Sequence, residues 1–215
     1  MVEQGTEPKI TVSRNGPYRV EGRIRLEAPD GHAIEAPSTP VLLCRCGGSN
    51  TKPFCDTTHV RLRFNGTEVA DRGPIAERQK VYQGHGITIY DDRSVCSHAG
   101  FCTDNLAQVF KLHQEPWIDP LGATAEAISA VIRQCPSGAL SYSLGDSSEP
   151  VEERSEPTVT VSKDGPYWLK GAVQVRSPDG STYEPRNRSA LCRCGGSKNK
   201  PFCDGTHWHI GFKHG

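Results

Sequence analysis

Cys192-Arg193-Cys194-Gly195-Gly196-Ser197-Lys198-Asn199-Lys200-Pro201-Phe202-Cys203-Asp204-Gly205-Thr206-His207 is the most constrained stretch of the chain. It occurs a second time as Cys44-Arg45-Cys46-Gly47-Gly48-Ser49-Asn50-Thr51-Lys52-Pro53-Phe54-Cys55-Asp56-Thr57-Thr58-His59. Each copy presents three thiols and one imidazole: Cys44, Cys46, Cys55 and His59, then Cys192, Cys194, Cys203 and His207. Such a set binds either a tetrahedral zinc ion or a small iron–sulfur cluster, and ligand count alone leaves both open. A disulfide inside Cys-x-Cys would be badly strained. The cysteines number nine, so they cannot all be paired.

The duplication extends beyond these sets. Residues 8–64 recur as 157–212, with Gly16-Pro17-Tyr18 matching Gly165-Pro166-Tyr167 and Pro29-Asp30-Gly31 matching Pro178-Asp179-Gly180. A one-residue deletion then precedes the cysteines of the second copy. Tyr18, Val20, Gly22, Ile24 and Leu26 alternate with polar residues, as do Tyr167, Leu169, Gly171, Val173 and Val175. That period of two predicts a half-buried strand in each copy, followed by a Pro-Asp-Gly turn. Copies of this length are marginal as independent folds, so packing them about a pseudo-twofold axis is the expected solution.

Between the copies lies a different segment, bounded by polar linkers at 70–74 and 145–157. It carries Cys96-Ser97-His98-Ala99-Gly100-Phe101-Cys102 and a distant Cys135-Pro136-Ser137-Gly138-Ala139-Leu140. Grouped thiols followed by a remote Cys-Pro are the pattern of ferredoxin ligation. A strand is predicted at 87–90. A helix is predicted over 123–134, with Leu121, Ala125, Ile128, Val131 and Ile132 forming one apolar face.

The two long motifs resemble the CDGSH (NEET) iron–sulfur family, whose signature is Cys-x-Cys-x2-Ser/Thr-x3-Pro-x-Cys-Asp-Gly-Ser/Thr-His. The second copy matches every specified position, and the first departs only at Thr57, where the family has Gly. The resemblance implies a [2Fe–2S] cluster in each copy. Cys-x-Cys would hold one iron, and the third Cys with the His would hold the other. Ser49, Ser197 and the Gly-Gly amides are then expected to donate hydrogen bonds to sulfur. Asp56 and Asp204 are expected to cap a short helix that carries the His near its N-terminus. Thr57 is strained if its φ is positive. Residues 81–143 resemble the divergent 4Fe–4S mono-cluster ferredoxin type, through Cys-x-His-x-Gly-x-Cys, Pro116-Trp117-Ile118 and Cys135-Pro136. Cys96, Cys102 and Cys135 leave one iron of a cubane without a thiolate. The resemblance implies a [3Fe–4S] centre, or a [4Fe–4S] completed by His98 or an external ligand; the alternative is three buried structural cysteines without metal.

The expected architecture is α+β: CDGSH-type halves at 8–66 and 157–215 in a pseudo-twofold pair, with an inserted ferredoxin-like domain at 81–143. A formal net charge of zero gives no electrostatic footprint for nucleic acid or anionic membrane. Hydrophobic residues are 35% of the chain, with 22 Gly and 16 Pro, a lean composition that calls for a metal staple. No apolar run is long enough for a membrane span, and Met1–Glu7 has no signal-peptide pattern, so a cytoplasmic protein is expected. There is no phosphate loop, nucleophile elbow or zinc-protease helix, which argues against an enzyme. The reading is a non-enzymatic electron carrier or redox relay working with a redox partner protein, as a monomer or else a dimer. The alternatives are a cluster donor to an apo acceptor, a redox or iron sensor, and a zinc-stapled interaction module.

Overall fold

The computed structural model describes residues 7–214, so the readings of residues 1–6 and of Gly215 lie outside the described residues. In the first copy, β1 (Lys9–Val12) and β2 (Tyr18–Glu21) form a hairpin. β4 (Val41–Leu43) adds antiparallel to β2, and α1 (Thr58–Arg61) follows the third cysteine. β3 (Arg25–Glu27) does not join this sheet. After the linker helix α2 (Ile75–Arg78), the middle segment forms β5 (Lys80–Gln83), β6 (Ile87–Asp91), α3 (Phe101–Asn105), α4 (Ala125–Ile132) and β7 (Leu140–Leu144). β8 (Thr158–Val161), β9 (Tyr167–Lys170), β10 (Gln174–Arg176), β11 (Arg188–Leu191) and α5 (Thr206–His209) repeat the first copy.

The alternating run after Tyr18 continues in pattern but not in one sheet. The chain turns at Gly22 (φ 82°), and at Gly171 (φ 80°) in the second copy. Beyond each turn the strand crosses to the other copy. β3 pairs in parallel with β8, and β10 pairs in parallel with β1. The result is two four-stranded sheets, β10-β1-β2-β4 and β11-β9-β8-β3, each with one strand borrowed from the other copy. The expected pseudo-twofold pair is present, and it is strand-exchanged.

One core serves both copies. Ile10, Val12, Tyr18 and Val20 pack with Val159, Val161, Tyr167 and Leu169. At its centre Tyr18 and Tyr167 meet edge to face, with ring centroids 6.0 Å apart. Each hydroxyl crosses to the other copy's motif. Tyr18 Oη donates towards the carbonyls of Cys192 (2.9 Å) and Pro201 (3.0 Å), and Tyr167 Oη towards those of Cys44 (2.8 Å) and Pro53 (3.0 Å). Burial raises both phenol pKa values far above the usual range, so both stay donors.

The middle segment has its own core, in which Ile87, Ile89, Phe110, Ile118 and Tyr142 pack against Ile128, Val131 and Ile132 of α4. Its sheet runs β5-β6-β7. Thr124 caps α4, its Oγ1 accepting from the Ala127 amide at 3.3 Å. Leu121, expected on the apolar face, is 60% exposed. It precedes the cap and sits in a turn held by Asp119, so it never enters the helical face.

The segments flanking the middle domain are docked. Arg78 of α2 and Arg186 of the second copy both reach Asp92, which is buried after β6. Arg188 of β11 donates to the carbonyls of Ile132 (2.8 Å), Cys135 (2.7 Å) and Leu140 (3.1 Å), and pairs with Glu152 at 2.8 Å. The middle domain is thus fastened to the second copy. Among the described residues no helix is long and apolar enough to cross a membrane.

Removing one crossing hydroxyl leaves a buried carbonyl short of a donor. Tyr18→Phe and Tyr167→Phe are each expected to lower unfolding free energy by about 1–3 kcal/mol. Urea denaturation followed by far-UV circular dichroism checks this, and unchanged midpoints for both variants contradict it.

Candidate metal centres

Each outer motif leaves a strand end (Leu43 or Leu191) and returns along it, with Phe54 bridging Leu43 and Phe202 bridging Leu191. The four candidate ligands come together as two pairs. Cys44 and Cys46 sulfurs lie 3.8 Å apart, and Cys55 Sγ lies 3.4 Å from His59 Nδ1. In the second copy the distances are 3.9 Å for Cys192–Cys194 and 3.3 Å for Cys203 to His207 Nδ1. With metal–sulfur and metal–nitrogen bonds of about 2.3 and 2.0 Å, two ligands of one tetrahedral metal stand roughly 3.5–3.8 Å apart. Each pair therefore has the spacing of neighbours on one metal. Among the described residues, no three Cys, His, Asp or Glu side chains converge on a single ion position. The donor set fits a two-metal group better than one ion.

The loop around these pairs is built by hydrogen bonds that differ in part from the expectation. The Gly48 and Gly196 amides do point at Cys46 and Cys194 sulfur, both at 3.4 Å. The serines do not donate their hydroxyls to sulfur. Ser49 Oγ donates to the Phe54 carbonyl and Ser197 Oγ to that of Phe202, both at 2.7 Å. A hydroxyl has one proton, and here it closes the loop. Asp56 and Asp204 sit one residue before the cap position. Their Oδ1 atoms still accept from the helix amides of Thr58 and Thr206 at 3.0 Å, while Oδ2 takes the amide of Asn50 or Lys198 at 2.8 Å. These bonds hold the Asp56 carboxyl well below the usual range.

Arg45 and Arg193, the residues inside each Cys-x-Cys, were not singled out by sequence reasoning, yet both are only 1% exposed. Arg193 donates to the carbonyls of Gly165 (2.7 Å), Ser162 (2.6 Å) and His214 (3.0 Å) and stacks on Tyr167 and Phe212. Arg45 reaches the carbonyls of Ser13 and Gly66 and stacks on Tyr18 and Phe64. Each places a buried positive charge beside a cluster of thiols. The two motifs also touch: a Cβ added at Gly47 would come within 2.4 Å of the Cys194 carbonyl, and one at Gly195 within 2.6 Å of that of Cys46.

The two outer sites are unequal. Cys203 and His207 are buried, at 2% and 4% exposure, whereas Cys55 and His59 are only part-buried. The cover comes from the middle domain. His98, itself at φ 53°, lies over Gly205, so a Cβ added there would meet His98 Cβ, Cδ2 and Cγ at 3.1–3.5 Å. Phe101 stacks edge-on against Trp168 at 6.3 Å, and Asn199 Nδ2 donates to the Ser94 carbonyl at 2.6 Å. Trp168 stands where the first copy has exposed Arg19, and buried Gly205 stands where it has exposed Thr57. Those two differences between the copies were the available signal for the docking face. Thr57 indeed has φ 69°, the left-handed conformation that strains a β-branched residue.

Burial raises the thiol pKa of Cys203 to about 12, with nearby Cys194, Asp204 and Cys96 adding to it; Cys46 and Cys55 are also raised, chiefly by burial. Cys192 shares its proton with Cys194, so Cys192 rises and Cys194 falls to about 7. Burial, aided by Arg193, lowers the His207 pKa and keeps its imidazole neutral for ligation. Metal binding at such thiols releases protons.

In the middle domain Cys96, Cys102 and Cys135 line one cavity of about 870 Å³. Burial lifts the Cys102 thiol to about 11, and Cys135 and Cys96 reinforce the rise. His98 stands exposed at the rim, its side chain laid on Gly205. The three thiols fit a thiolate-rich cluster. Ser97, Ala99 and Phe101 of the middle loop line one cavity with His207 and Trp208, so the middle and second outer sites adjoin.

The family model for iron-binding zinc fingers of CDGSH type matches residues 15–60 and 164–208, and that for the divergent 4Fe-4S mono-cluster matches residues 82–145. Over 63 residues the chain is 36% identical to the uncharacterized protein YjdI of Escherichia coli K12. The match spans 29% of this chain and 83% of YjdI, and YjdI of E. coli O157:H7 gives the same figures.

In metal-free protein, Cys55 is expected to be alkylated well before Cys203, as peptide mapping by mass spectrometry would show. Equal rates contradict the burial difference. Thr57→Gly should stabilise the chain by roughly 1 kcal/mol by relieving left-handed strain. Gly205→Thr should destabilise it by more, because strain and the His98 contact add. Thermal denaturation of the two variants checks both signs.

Proposed function

Because the chain belongs to the CDGSH iron–sulfur family and carries a divergent 4Fe–4S mono-cluster domain between its two copies, we propose that it is a non-enzymatic electron carrier with three centres in series. The observation that carries the proposal is adjacency. His98, on the loop of the middle site, lies against Gly205 of the second outer motif, and that motif abuts the first through Gly47 and Gly195. The order is middle, second outer, first outer. Bound iron–sulfur clusters supply one-electron chemistry at each position.

The pairing of ligands supports [2Fe–2S] centres in the outer motifs over zinc. The three-thiol middle site supports a [3Fe–4S] or [4Fe–4S] centre. The protein's own residues supply the rest. Gly48 and Gly196 amides stabilise charge on Cys46 and Cys194 sulfur, and such bonds raise a reduction potential. Buried Arg45 and Arg193 favour the reduced, more negative state of the adjoining site. Phe101, Trp168 and Trp208 line a cavity of about 200 Å³ beside His207 of the second outer site. The part-buried Cys55–His59 edge, more open than its counterpart in the second copy, is where a redox partner protein gains access.

Stepwise reductive titration of the loaded protein, followed by EPR and visible absorption, tests the reading. Three reversible one-electron steps are expected, with iron and acid-labile sulfide present at cluster ratios. His207→Cys should lower the potential of one outer centre and leave the other in place, since a thiolate donates more charge than imidazole. Centres that cannot be reduced reversibly, or zinc in place of iron, overturn the proposal.

The exposure of Cys55 and His59 favours a second reading, in which the chain donates a cluster to an apo acceptor. Mixing loaded protein with an apo ferredoxin distinguishes the two. Transfer from the first outer site alone supports donation, while full retention supports electron carriage.

A further inference from the structure

The middle centre has three thiols for a group that, as a cubane, has four metals. All other cysteines belong to the outer motifs. His98 is turned onto Gly205 of the second copy. The wall of the same cavity carries another donor that sequence reasoning passed over: Asp91, at the end of β6, only 3% exposed.

Asp91 Oδ2 is occupied, accepting from Trp117 Nε1 at 2.9 Å and lying 3.6 Å from Arg93 Nε. Its Oδ1 is buried and has no hydrogen-bond partner. Leaving a buried charged acceptor unpaired is costly, and such an atom marks a missing partner. The position is apt. One guanidinium, that of Arg93, reaches Asp91 Oδ2 at one side and Cys96 Sγ (3.5 Å) at the other, so carboxylate and thiol stand one guanidinium apart. Asp91 also pairs in register with Leu140, five residues beyond Cys135, which brings the third thiol to the same end of the sheet. The other carboxylate lining the cavity, Glu115, is exposed.

We propose that Asp91 is the fourth protein ligand of the middle centre, its Oδ1 binding the iron that no thiolate reaches. The proposal rests on the iron–sulfur reading of that site. A carboxylate oxygen is a harder donor than thiolate, so the iron it holds is the one most readily lost and regained. The centre is then a four-iron cluster with one distinct, exchangeable iron.

The test uses the full chain loaded under anaerobic, iron-replete conditions, with Mössbauer and EPR spectra and iron and sulfide counts as readouts. The wild type should show a four-iron middle centre with one spectroscopically distinct iron. Asp91→Asn should yield the three-iron form, with about one iron fewer per chain. Asp91→Cys should restore four irons with the distinct site lost, and His98→Ala should leave the wild-type pattern. The outer centres report folding within the same sample. If Asp91→Asn loses their absorption too, the Asp91→Cys spectrum decides, because a four-thiolate pattern there requires residue 91 to reach the iron. A three-iron wild type, an unchanged Asp91→Asn spectrum, or loss of the fourth iron in His98→Ala alone overturns the assignment. A chain with intact outer centres and no cluster in the middle site overturns the reading beneath it.

Discussion

Everything in the paired outer copies hangs on two phenol hydroxyls that cross the pseudo-twofold axis. Tyr18 and Tyr167 each donate to the peptide carbonyl of a cysteine in the opposite motif. The backbone that brings two thiols within 3.9 Å of each other is therefore held by the other copy. Strand exchange serves the same end: β3 and β10 complete sheets to which they do not belong in sequence. Neither copy has a complete sheet or a complete core alone, so the loop that carries each copy's four candidate ligands is supported in part by the other copy.

The middle domain breaks this symmetry. It is fastened to the second copy by Arg188, which binds three carbonyls around the Cys135 turn, and by Asp92 between Arg78 and Arg186. The loop that carries Cys96 and His98 then closes over Cys203 and His207. Coverage lowers the local dielectric and removes water from one outer site while the other stays open. Two motifs of nearly identical sequence thus occupy different electrostatic settings.

Much of this was legible in the sequence. The duplication, the middle segment and the helix before Cys135 follow from spacing and periodicity, and the pairing of thiols and imidazoles was expected from the resemblance to the CDGSH family. The strand exchange was not, because Gly22 and Gly171 continue the alternating pattern while reversing the backbone. The pattern records which face a residue buries and says nothing of whose sheet it joins. The serine hydroxyls were misassigned because proximity to sulfur in sequence does not fix where a single proton goes. Trp168 in place of Arg19 carried the docking information, but one aromatic substitution reads equally well as core packing. Asp91 carries no distinguishing signal in the sequence; its burial is what marks it.

The exchanged strands have a consequence for how such a protein can change over generations. In a pair of identical subunits every substitution is made twice, once on each side of the axis, so both sites must tolerate it. Here the two copies are encoded once each within a single chain. Arg19 and Trp168, or Thr57 and Gly205, are free to drift apart while the tyrosine crossings and shared sheets keep the halves interlocked. Carrying both copies in one chain gives a pseudo-symmetric scaffold whose two sites are independently mutable.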